Sequence, residues 1–428
     1  MLGELFRREG FWLLDAMKGS PIRNHAKELD EIYLKRSGNP KALEELLKHA
    51  IATVPFYGKI ATPDISFFPV VSKKEYRADF ESFRSKEYLK EDELHKVFTS
   101  GSTGTPFMAY QDREKIRWHQ AGLTLLNRKI GWQIGDQFMF FRLWGVAHNE
   151  GKLSQIKANM LPVDVMGFTD ERKEETCQTI IRKKHLHLIL GYASALTSLA
   201  EYIIQQGYKP DELGIKLVIA DSENLSETAK KLIEQAFGCT VLNRYGNNEN
   251  GILGITMPGD NRMHINFPEY YVELLKLDSD EPVKIGECGR IVITDLYNKA
   301  FPFIRYDTGD LGIASEMHDQ QCIVLKQLVG RVSGSLRGTS GELIGETAAS
   351  SFFENMVGLG RYQIAQTGKR KYQVRVEKTK RNLDEQIAVQ AQKCFGSDAD
   401  IEVLHINKIE QGRNGKYKIT SYEVEDKS

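Results

Sequence analysis

HLHLILGY, residues 185–192, is an apolar run that precedes the amphipathic stretch ALTSLAEYIIQQG at 195–207. The same order recurs downstream, where IKLVIADSE (215–223) precedes SETAKKLIEQAFG (226–238) and TVLNRYG (240–246) follows. Short apolar runs that alternate with helical periodicity indicate β-α-β-α-β units, which form a parallel or mixed sheet flanked by helices. The sequence therefore predicts an α/β fold, with ligands at the carboxyl ends of the strands.

The pattern changes on both sides of this region. Up to about Lys96 it is mostly helical, as in KALEELLKHAIATV (41–54), and we expect packing there without visible chemistry. Downstream, YYVELLKLD (270–278), GRIVITDLY (289–297) and QCIVLKQLVGR (321–331) predict the strands of a more β-rich region.

A Gly- and Ser-rich stretch at 331–345 predicts a flexible linker, and a compact α+β pattern resumes beyond it. We therefore expect a large, multi-layer α/β N-terminal domain with a β-rich subdomain at 1–331. A hinge or linker follows at 332–344, and a small mobile α+β domain occupies 345–428.

The composition limits the partners. The 428 residues contain 58 Lys and Arg against 58 Asp and Glu, so the neutral chain is not expected to bind nucleic acid. Five widely separated cysteines predict reduced thiols of a cytoplasmic protein, and the apolar runs are too short for a membrane span. The N-terminal stretch at 2–19 has an apolar face at helical spacing but contains acidic residues, which predicts a docking helix and excludes a signal peptide. An interfacial membrane helix is the alternative.

Three motifs follow apparent strands. FTSGSTGTP (98–106) suits a cradle of backbone N–H and hydroxyl groups around phosphate, or a plain surface turn. RYGNNENG (244–251) offers a carboxylate for Mg²⁺ beside an aromatic ring, or a turn with a solvated Glu. RYDTGD (305–310) presents Asp310 after a Thr-Gly turn, suited to ribose hydroxyls or to an ordinary β-turn.

The motifs in combination resemble the adenylate-forming (ANL) superfamily over roughly residues 45–420. Phe107 in place of a lysine after the first loop, and the run TDLYNKAFPFIRYDTGD, look like the phenylacetate-CoA ligase group, nearest its capsular-polysaccharide (CapK) branch. The segments that carry the resemblance are, in order, TSGSTGTP (99–106), YGNNE (245–249), RYDTGD (305–310), GR (330–331) and GK (415–416).

This resemblance implies an ATP-dependent, AMP-forming carboxylate ligase with a nucleotide site. Glu249 would bind Mg²⁺, and Lys416 on the mobile domain would bridge the carboxylate and the α-phosphate. Ser333 and Gly334 stand at the hinge, where relatives usually carry acidic residues. The first loop would hold the ATP phosphates through Thr99, Ser100, Gly101, Ser102, Thr103, Gly104 and Thr105. The remaining nucleotide contacts would be Ser222, Glu223, Tyr245 (stacked on adenine), Gly246, Asn247, Asn248, and Asp310 with Arg331 at the ribose.

The substrates stay open at this stage. The acceptor of the acyl group is coenzyme A, an amine or a sugar-linked group, and the pathway is surface-polysaccharide synthesis or aromatic-acid metabolism. We expect a monomer or homodimer without zinc, because the stretch after YGNNE contains His264 but no cysteine pair. The candidates for the acyl pocket are Trp118, Trp144, His148, Tyr192 and Asn247, with Arg142 favouring a polar acid.

Two other functions compete with this prediction. One is a nucleotide-binding relative without turnover. The other is a nucleotide-sugar glycosyltransferase, which is suggested by the acidic string at 278–280 and by no other feature.

Overall fold

The computed structural model describes residues 2–99, 107–144, 151–332, 335–353, 356, 358–377, 382–409 and 419–424. Its helices are α1 (Leu2–Met17), α2 (Pro21–Lys35), α3 (Pro40–Thr53), α4 (Lys73–Ala78), α5 (Arg113–Lys129), α6 (Lys152–Ala158), α7 (Asp170–Arg182), α8 (Ala193–Gln206), α9 (Pro210–Leu213), α10 (Glu227–Phe237), α11 (Glu346–Ser351) and α12 (Asp384–Phe395). Its strands are β1 (Val71–Ser72), β2 (His95–Thr99), β3 (Phe107–Gln111), β4 (Phe138–Arg142), β5 (Met160–Asp164), β6 (Leu188–Tyr192), β7 (Leu217–Asp221), β8 (Thr240–Asn247), β9 (Gly251–Met257), β10 (Asp260–Ile265), β11 (Tyr270–Leu275), β12 (Cys288–Asp295), β13 (Tyr306–His318), β14 (Gln321–Arg331), β15 (Leu336–Arg337), β16 (Leu343–Ile344), β17 (Tyr362–Gln366), β18 (Lys371–Glu377), β19 (Asp400–Ile406) and β20 (Thr420–Tyr422).

Twelve strands within these ranges form one mixed sheet. Strands β5, β4, β6, β7 and β8 run parallel in that order. The sheet continues through antiparallel pairs to β9, β10, β14, β13, β12 and β11, and β1 pairs in parallel with β13. Helix α8 connects β6 to β7, and α10 connects β7 to β8. The predicted α/β class and the β-α-β-α-β order are confirmed.

Helices bury the parallel strands. Every residue of β6 is buried, and α8 contributes a fully buried face to the same apolar cluster. The residues of that face follow the i, i+3, i+4, i+7 spacing of one helix side, namely Leu196, Leu199, Ala200 and Ile203. Each such burial stabilises the fold by roughly 1.5–3 kcal/mol for a large aliphatic side chain. Because helices cover the strands, the polar loops of this half of the sheet lie at the ends of the strands.

A second sheet, β19-β18-β17-β20, packs with α12 near the C-terminus. Part of the predicted linker belongs to this unit, because β15 and β16 form a hairpin and Leu336 is buried in one cluster with Phe353 and Phe395. The described residues 335–344 therefore include a hairpin, and the linker as a whole stays a prediction. The domain limits stay predictions, and the predicted hinge lies outside the described residues, at Ser333 and Gly334.

The RYDTGD motif lies in a strand and not in the expected turn. Residues 306–310 begin β13, whose register with β12 shifts between Asp307 and Leu311. Gly309 takes a left-handed φ of +74°, and its N–H donates to the Asp307 carboxylate at 2.9 Å. Short polar residues and glycine build a β-bulge as readily as a turn, which explains the difference.

Candidate functional site

The candidate residues lie where the parallel strands end. Strand β6 ends at Tyr192, β7 at Asp221 and β8 at Asn247, and their parallel pairing aligns these ends along one edge of the sheet. In the loop after β7, Glu223 accepts a hydrogen bond at 2.8 Å from the backbone N–H of Ser194, in the first turn of α8. This contact ties together the loops that follow β6 and β7.

The backbone is strained at the predicted adenine side. Ser222 has φ of +66°, in the left-handed region that residues other than glycine seldom adopt. Its neighbour Asp221 forms an ion pair with Arg244 of β8 at 2.6 Å, which holds the two strand ends together. Strain of this kind concentrates at functional sites.

Glu249 is a buried carboxylate with two partners on one oxygen. Lys73 Nζ lies 2.8 Å from Glu249 Oε1, and the Tyr306 hydroxyl donates to the same oxygen at 2.7 Å. The Glu249 side chain is 2% exposed and the Lys73 side chain 28%. Gln111 also donates to the backbone carbonyl of Glu249 at 3.1 Å. The Glu249 carboxylate is therefore shielded from water, while the lysine paired with it is partly exposed to solvent.

Asp310 joins two other predicted residues. Tyr245 donates its hydroxyl hydrogen to Asp310 Oδ2 at 2.9 Å, and Arg331 Nε lies 3.3 Å from Oδ1. Asp310 and Arg331 are also paired across β13 and β14. Burial raises the pKa of the Asp310 carboxyl, while Arg331 and the Tyr245 hydroxyl oppose that rise. Burial likewise raises the pKa of Tyr245, and the charge of Asp310 adds to the effect.

The predicted phosphate loop connects β2 to β3. These strands pair up to Thr99 opposite Phe107, so the two ends of the loop are neighbours. Asn248 donates from Nδ2 to the Phe98 carbonyl at 3.0 Å, which brings β2 beside the residue preceding Glu249. The loop itself falls outside the described residues, as do the side chain of Thr99 and the residues Ser100, Gly101, Ser102, Thr103, Gly104 and Thr105.

Helix α5 backs this site through a close contact. Gly251 has φ of +110°, and a Cβ at this position would lie 2.3 Å from Cε1 of His119. Burial lowers the pKa of His119 to about 3, and the charge of Lys115 lowers it further, so the ring that packs on the glycine is neutral. Glycine is required here both for its backbone freedom and for space.

Trp118, a predicted pocket residue, has a packing role. Its ring stacks between His25 at 3.7 Å and Tyr297 at 3.8 Å, measured between ring centroids, and it is 8% exposed. It belongs to the contact of α2 with α5 and not to the group at the strand ends.

The other pocket candidates lie at strand ends. Trp144 follows β4 and donates to the Phe140 carbonyl at 3.3 Å. Burial raises the pKa of Tyr192, and Arg142 at the end of β4 opposes the rise. Asn247 Oδ1 accepts from both the backbone and the side-chain nitrogen of Asn250, at 2.9 and 3.0 Å, and so shapes its own loop. His148 lies outside the described ranges, as does Lys416 of the predicted C-terminal domain.

Lys73 and Tyr306 were not predicted from the sequence as site residues. Lys73 begins α4 directly after β1, whose Val71 pairs with Tyr306 of β13. The local signal, a capping box of Ser72 and Glu75, predicts where this helix starts but not what its first residue contacts. The N-terminal region therefore contributes to the site, contrary to the expectation of packing alone.

The donor set fits a magnesium ion that arrives with nucleotide phosphates. Among the described residues no group of three His, Cys, Asp or Glu side chains could hold a metal ion. Mg²⁺ needs only one or two carboxylates when phosphates and water supply its remaining ligands, and Glu249 is buried with a cation already at its oxygen. His264 lies in β10, where its Nε2 is 2.9 Å from Asp260 Oδ2.

Comparison with known proteins agrees with this geometry. The chain is 25% identical over 280 residues to a phenylacetate-coenzyme A ligase of Pseudomonas putida, a match that covers 62% of the chain and 63% of that ligase. It is 22% identical over 310 residues to protein CapK of Staphylococcus aureus, covering 70% and 66%. The chain thus spans slightly less than two thirds of the length of these curated relatives. No family model matches it.

Solved structures share this fold over most of the chain. 2-Hydroxyisobutyryl-CoA ligase in the postadenylation state, in complex with R3-HIB-AMP, superimposes with a TM-score of 0.69 at 17% identity, covering 89% of this chain and 88% of that one. The chain has the fold of the adenylate-forming ligases. ATP-bound MatB from Rhodopseudomonas palustris, another structure with this likeness, gives a TM-score of 0.58 at 14% identity, covering 76% and 66%. Of the residues that the motifs singled out, the described ones at 222–223, 245–249, 310 and 331 lie in or directly after β7, β8, β13 and β14.

Proposed function

We propose that the protein is an AMP-forming ligase that activates a small carboxylic acid with ATP. The observation that carries the proposal is the grouping of Glu249 with Lys73, and of Tyr245 with Asp310 and Arg331, around the ends of β8 and β13. In ATP, the adenine ring can stack on an aromatic side chain, the ribose hydroxyls can donate to a carboxylate, and the phosphates can bind cations. The matched relatives named as CoA ligases support the same reaction.

In the proposed first step, a carboxylate oxygen attacks the α-phosphorus of ATP. A bond forms between these atoms, the bond from α-phosphorus to the bridging oxygen breaks, and pyrophosphate leaves with the electron pair. The acid must be ionised and both reactants are anions, so this chain contributes position and positive charge and not a nucleophile. Lys416 and the loop at 99–105 are proposed to supply cationic and N–H contacts.

Glu249 is the residue proposed to hold magnesium. A bound Mg²⁺ would screen the phosphate charge and orient the leaving group. Tyr306 keeps the Glu249 carboxylate in one orientation by its 2.7 Å hydrogen bond, and Lys73 balances the carboxylate charge before the metal arrives. Asp310 is proposed to accept hydrogen bonds from the ribose hydroxyls, while Tyr245 fixes that carboxylate and stacks on adenine.

In the proposed second step, the acyl group passes from AMP to an acceptor. The acceptor atom attacks the carbonyl carbon, the bond from carbon to the phosphate oxygen breaks, AMP leaves with the electron pair, and the acceptor loses its proton. The names of the relatives favour the thiol of coenzyme A. The similarity to CapK keeps an amine or a sugar-linked group as the alternative, in surface-polysaccharide synthesis.

Exchange of labelled pyrophosphate into ATP tests the first step. We expect exchange only with the correct acid in a panel of aryl, aliphatic and hydroxy acids. Lys416→Ala is expected to lower its rate by about a hundredfold or more, as when a transition-state charge contact is removed. Lys408→Ala, an exposed lysine of the same C-terminal unit, is the matched control and should leave the rate unchanged.

The outcomes separate the competing functions. Tight ATP binding without exchange for any acid, together with no effect of Lys416→Ala, would refute adenylation and indicate a nucleotide-binding protein without turnover. Once an acid is known, formation of its thioester with coenzyme A is the expected second product. Trapping of the adenylate by hydroxylamine without thioester formation would instead indicate an amine or hydroxyl acceptor.

A further inference from the structure

Helix α1 is attached to the protein by its polar side. Arg8 Nη2 forms an ion pair with Asp136 at 2.7 Å, and Glu4 Oε1 accepts from the backbone N–H of Gln137 at 3.3 Å. Asp15, 4% exposed, accepts backbone N–H groups of the first turn of α2 at 3.0 and 3.1 Å. These directional contacts run along the helix and fix its rotation about its own axis.

The opposite side of α1 is apolar and faces solvent. Leu2, Phe6 and Met17 are 86%, 82% and 76% exposed, and Leu13 shares their side of the helix at i, i+4, i+11 and i+15. We call the exposed apolar residues of this helix the α1 stripe: Leu2, Leu5, Phe6, Leu13, Leu14 and Met17. An amphipathic helix normally turns such a face inward, so this orientation calls for an apolar partner.

A second short helix extends the stripe. Arg7 of α1 donates from Nε to the backbone carbonyl of Ile156 at 3.3 Å, which sets α6 beside α1. Leu153 and Ile156 of α6 are 75% and 61% exposed. The apolar surface therefore spans two adjacent helices. No helix in the described part of the chain is long and apolar enough to cross a membrane.

A basic cleft borders the stripe. It has a volume of about 440 Å³ and is formed by α1, α2 and α5, with Trp12, Arg23, Lys27 and Trp132 among its walls. The Arg23 guanidinium lies 5.0 Å from the centre of the Trp12 ring, while Asp30, the acidic wall residue, pairs with neighbouring cations of α5. Residues 2–31 and helix α6 carry five exposed basic side chains against three exposed acidic ones: Lys18, Arg23, Lys27, Lys152 and Lys157 against Glu9, Glu28 and Glu31.

We propose that the α1 stripe and this cleft form a docking surface for an anionic lipid bilayer, on which α1 lies parallel to the surface. Apolar side chains at the acyl boundary, tryptophans at headgroup level and flanking lysines and arginines are the features that bind such surfaces. The net charge of the chain is zero, so the attraction is local to this face. The proposal does not depend on the proposed ligase activity.

The charges favour lipid over a second copy of the chain. Glu9 lies midway along the stripe, on the side of Leu2 and Leu13. Two copies of α1 packed antiparallel about a two-fold axis would bring their Glu9 carboxylates together in a desolvated contact, and like charges there are unfavourable. At a bilayer no second Glu9 faces the first, and the exposed basic side chains Lys18, Arg23 and Lys27 lie on the same chain as the stripe.

Vesicle flotation of the full chain tests the proposal. We expect binding to vesicles of phosphatidylcholine with about one third phosphatidylglycerol, and binding at least about tenfold weaker to phosphatidylcholine alone. Phe6→Ser with Leu13→Ser should lower binding about tenfold or more, because two large apolar side chains are lost. Arg23→Gln with Lys27→Gln should lower it by about tenfold and weaken its salt dependence.

A matched pair of substitutions controls for surface hydrophobicity. Phe67→Ser with Leu89→Ser removes one Phe and one Leu, 64% and 66% exposed, from other elements, and should leave vesicle binding unchanged. Failure of the wild-type chain to float would overturn the proposal. An equal loss of vesicle binding in the Phe6→Ser, Leu13→Ser variant and in the Phe67→Ser, Leu89→Ser control would also overturn it. So would a wild-type dimer in light scattering that becomes monomeric on Phe6→Ser with Leu13→Ser, which would assign the stripe to a second copy.

Discussion

Lys73 Nζ lies 2.8 Å from Oε1 of Glu249, the same oxygen that accepts the Tyr306 hydroxyl at 2.7 Å. One carboxylate oxygen therefore has two protein donors, and one of them is a cation that water can reach. If Glu249 holds magnesium through this oxygen when ATP binds, the metal must compete with Lys73. The lysine then balances the buried charge only while the site is without metal.

This relationship predicts that Lys73→Met destabilises the protein most in the absence of Mg-ATP. Without its partner, the Glu249 charge is buried without compensation, and the free energy of unfolding should fall by about 1–3 kcal/mol. Saturating Mg-ATP stabilises any protein that binds it, but it should stabilise Lys73→Met more than the wild type. The difference in stability between the two proteins should then largely disappear, because the metal replaces the lysine charge. Urea denaturation of both proteins with and without Mg-ATP measures the difference.

Lys74→Met is the control for this experiment. Lys74 is the next residue of α4 and is exposed, so its substitution changes net charge equally without touching Glu249. Its effect should stay within about 0.5 kcal/mol in either condition. An identical loss for Lys73→Met with and without Mg-ATP would mean that the lysine and the metal do not exchange at this oxygen.

Asp310 is expected to select nucleotides by their ribose hydroxyls. Asp310→Asn keeps the shape and an acceptor for Tyr245 but removes the charge-assisted bonds to the sugar, so ATP affinity should fall about tenfold. The same substitution should lower the affinity for dideoxy-ATP, which lacks both ribose hydroxyls, by less than about threefold. Calorimetric titration with each nucleotide in excess magnesium measures both values. Equal losses for the two nucleotides would assign Asp310 a role in the fold and not at the ribose.

Tyr245 allows the ring to be separated from the hydroxyl. Tyr245→Phe removes only the donor to Asp310 and should weaken ATP binding by less than about fivefold, the value of one net hydrogen bond. Tyr245→Leu keeps an apolar side chain but removes the aromatic face, and the loss of about 1–3 kcal/mol of stacking should weaken ATP binding by about fivefold to 150-fold. The same titration compares them, and equal effects of the two variants would argue against stacking on adenine.

The parallel half of the fold could be predicted because its signals are local. Residues 188–192 are buried on both faces of the sheet, and a strand in that position must be apolar throughout. The helix that follows shows its buried face by spacing alone. Likewise RYGNNENG spans the end of β8, and RYDTGD forms a bulge at the start of β13, because glycine and short polar residues shape turns and bulges.

What the sequence could not show depends on distant pairings. Lys73 reaches Glu249 because two residues of β1 pair with β13, and so short a strand has no pattern of its own. The spacing of α1 reveals an apolar face, but its outward direction is decided by the ion pair of Arg8 with Asp136. Both cases are side-chain contacts between segments far apart in the chain, which periodicity does not encode.

A buried polar cluster lies behind the site. Lys115 is fully buried and pairs with Asp295 at 2.8 Å, and the Tyr270 hydroxyl donates to the backbone carbonyl of Asn250 at 2.6 Å, one residue from Glu249. Burial raises the pKa of Asp295, which Lys115 opposes. The cluster therefore couples the backbone beside Glu249 to charges that never contact water.

Glu269, in the same cluster, predicts a pH dependence of stability. Burial raises its pKa from 4.5 to about 7, partly opposed by Lys115 and by the 2.7 Å hydrogen bond from Asn266. Between these two pKa values the folded chain holds a proton that the unfolded chain has lost, so this contribution is complete below pH 4.5 and disappears as pH rises to about 7. From about pH 5 to pH 8 the loss should be about 3 kcal/mol.

Glu269→Gln isolates this contribution because glutamine keeps the acceptor for Asn266 and does not titrate. Between pH 5 and pH 8, the free energy of unfolding of the variant should decrease by about 3 kcal/mol less than that of the wild type. At the alkaline end the variant should therefore be the more stable of the two. Urea denaturation followed by tryptophan fluorescence at each pH gives the two curves. Curves that run parallel from acid to alkaline pH would show that the Glu269 carboxyl is already ionised in the folded chain. In that case unfolding releases no proton from Glu269, and this residue adds no slope to the curve.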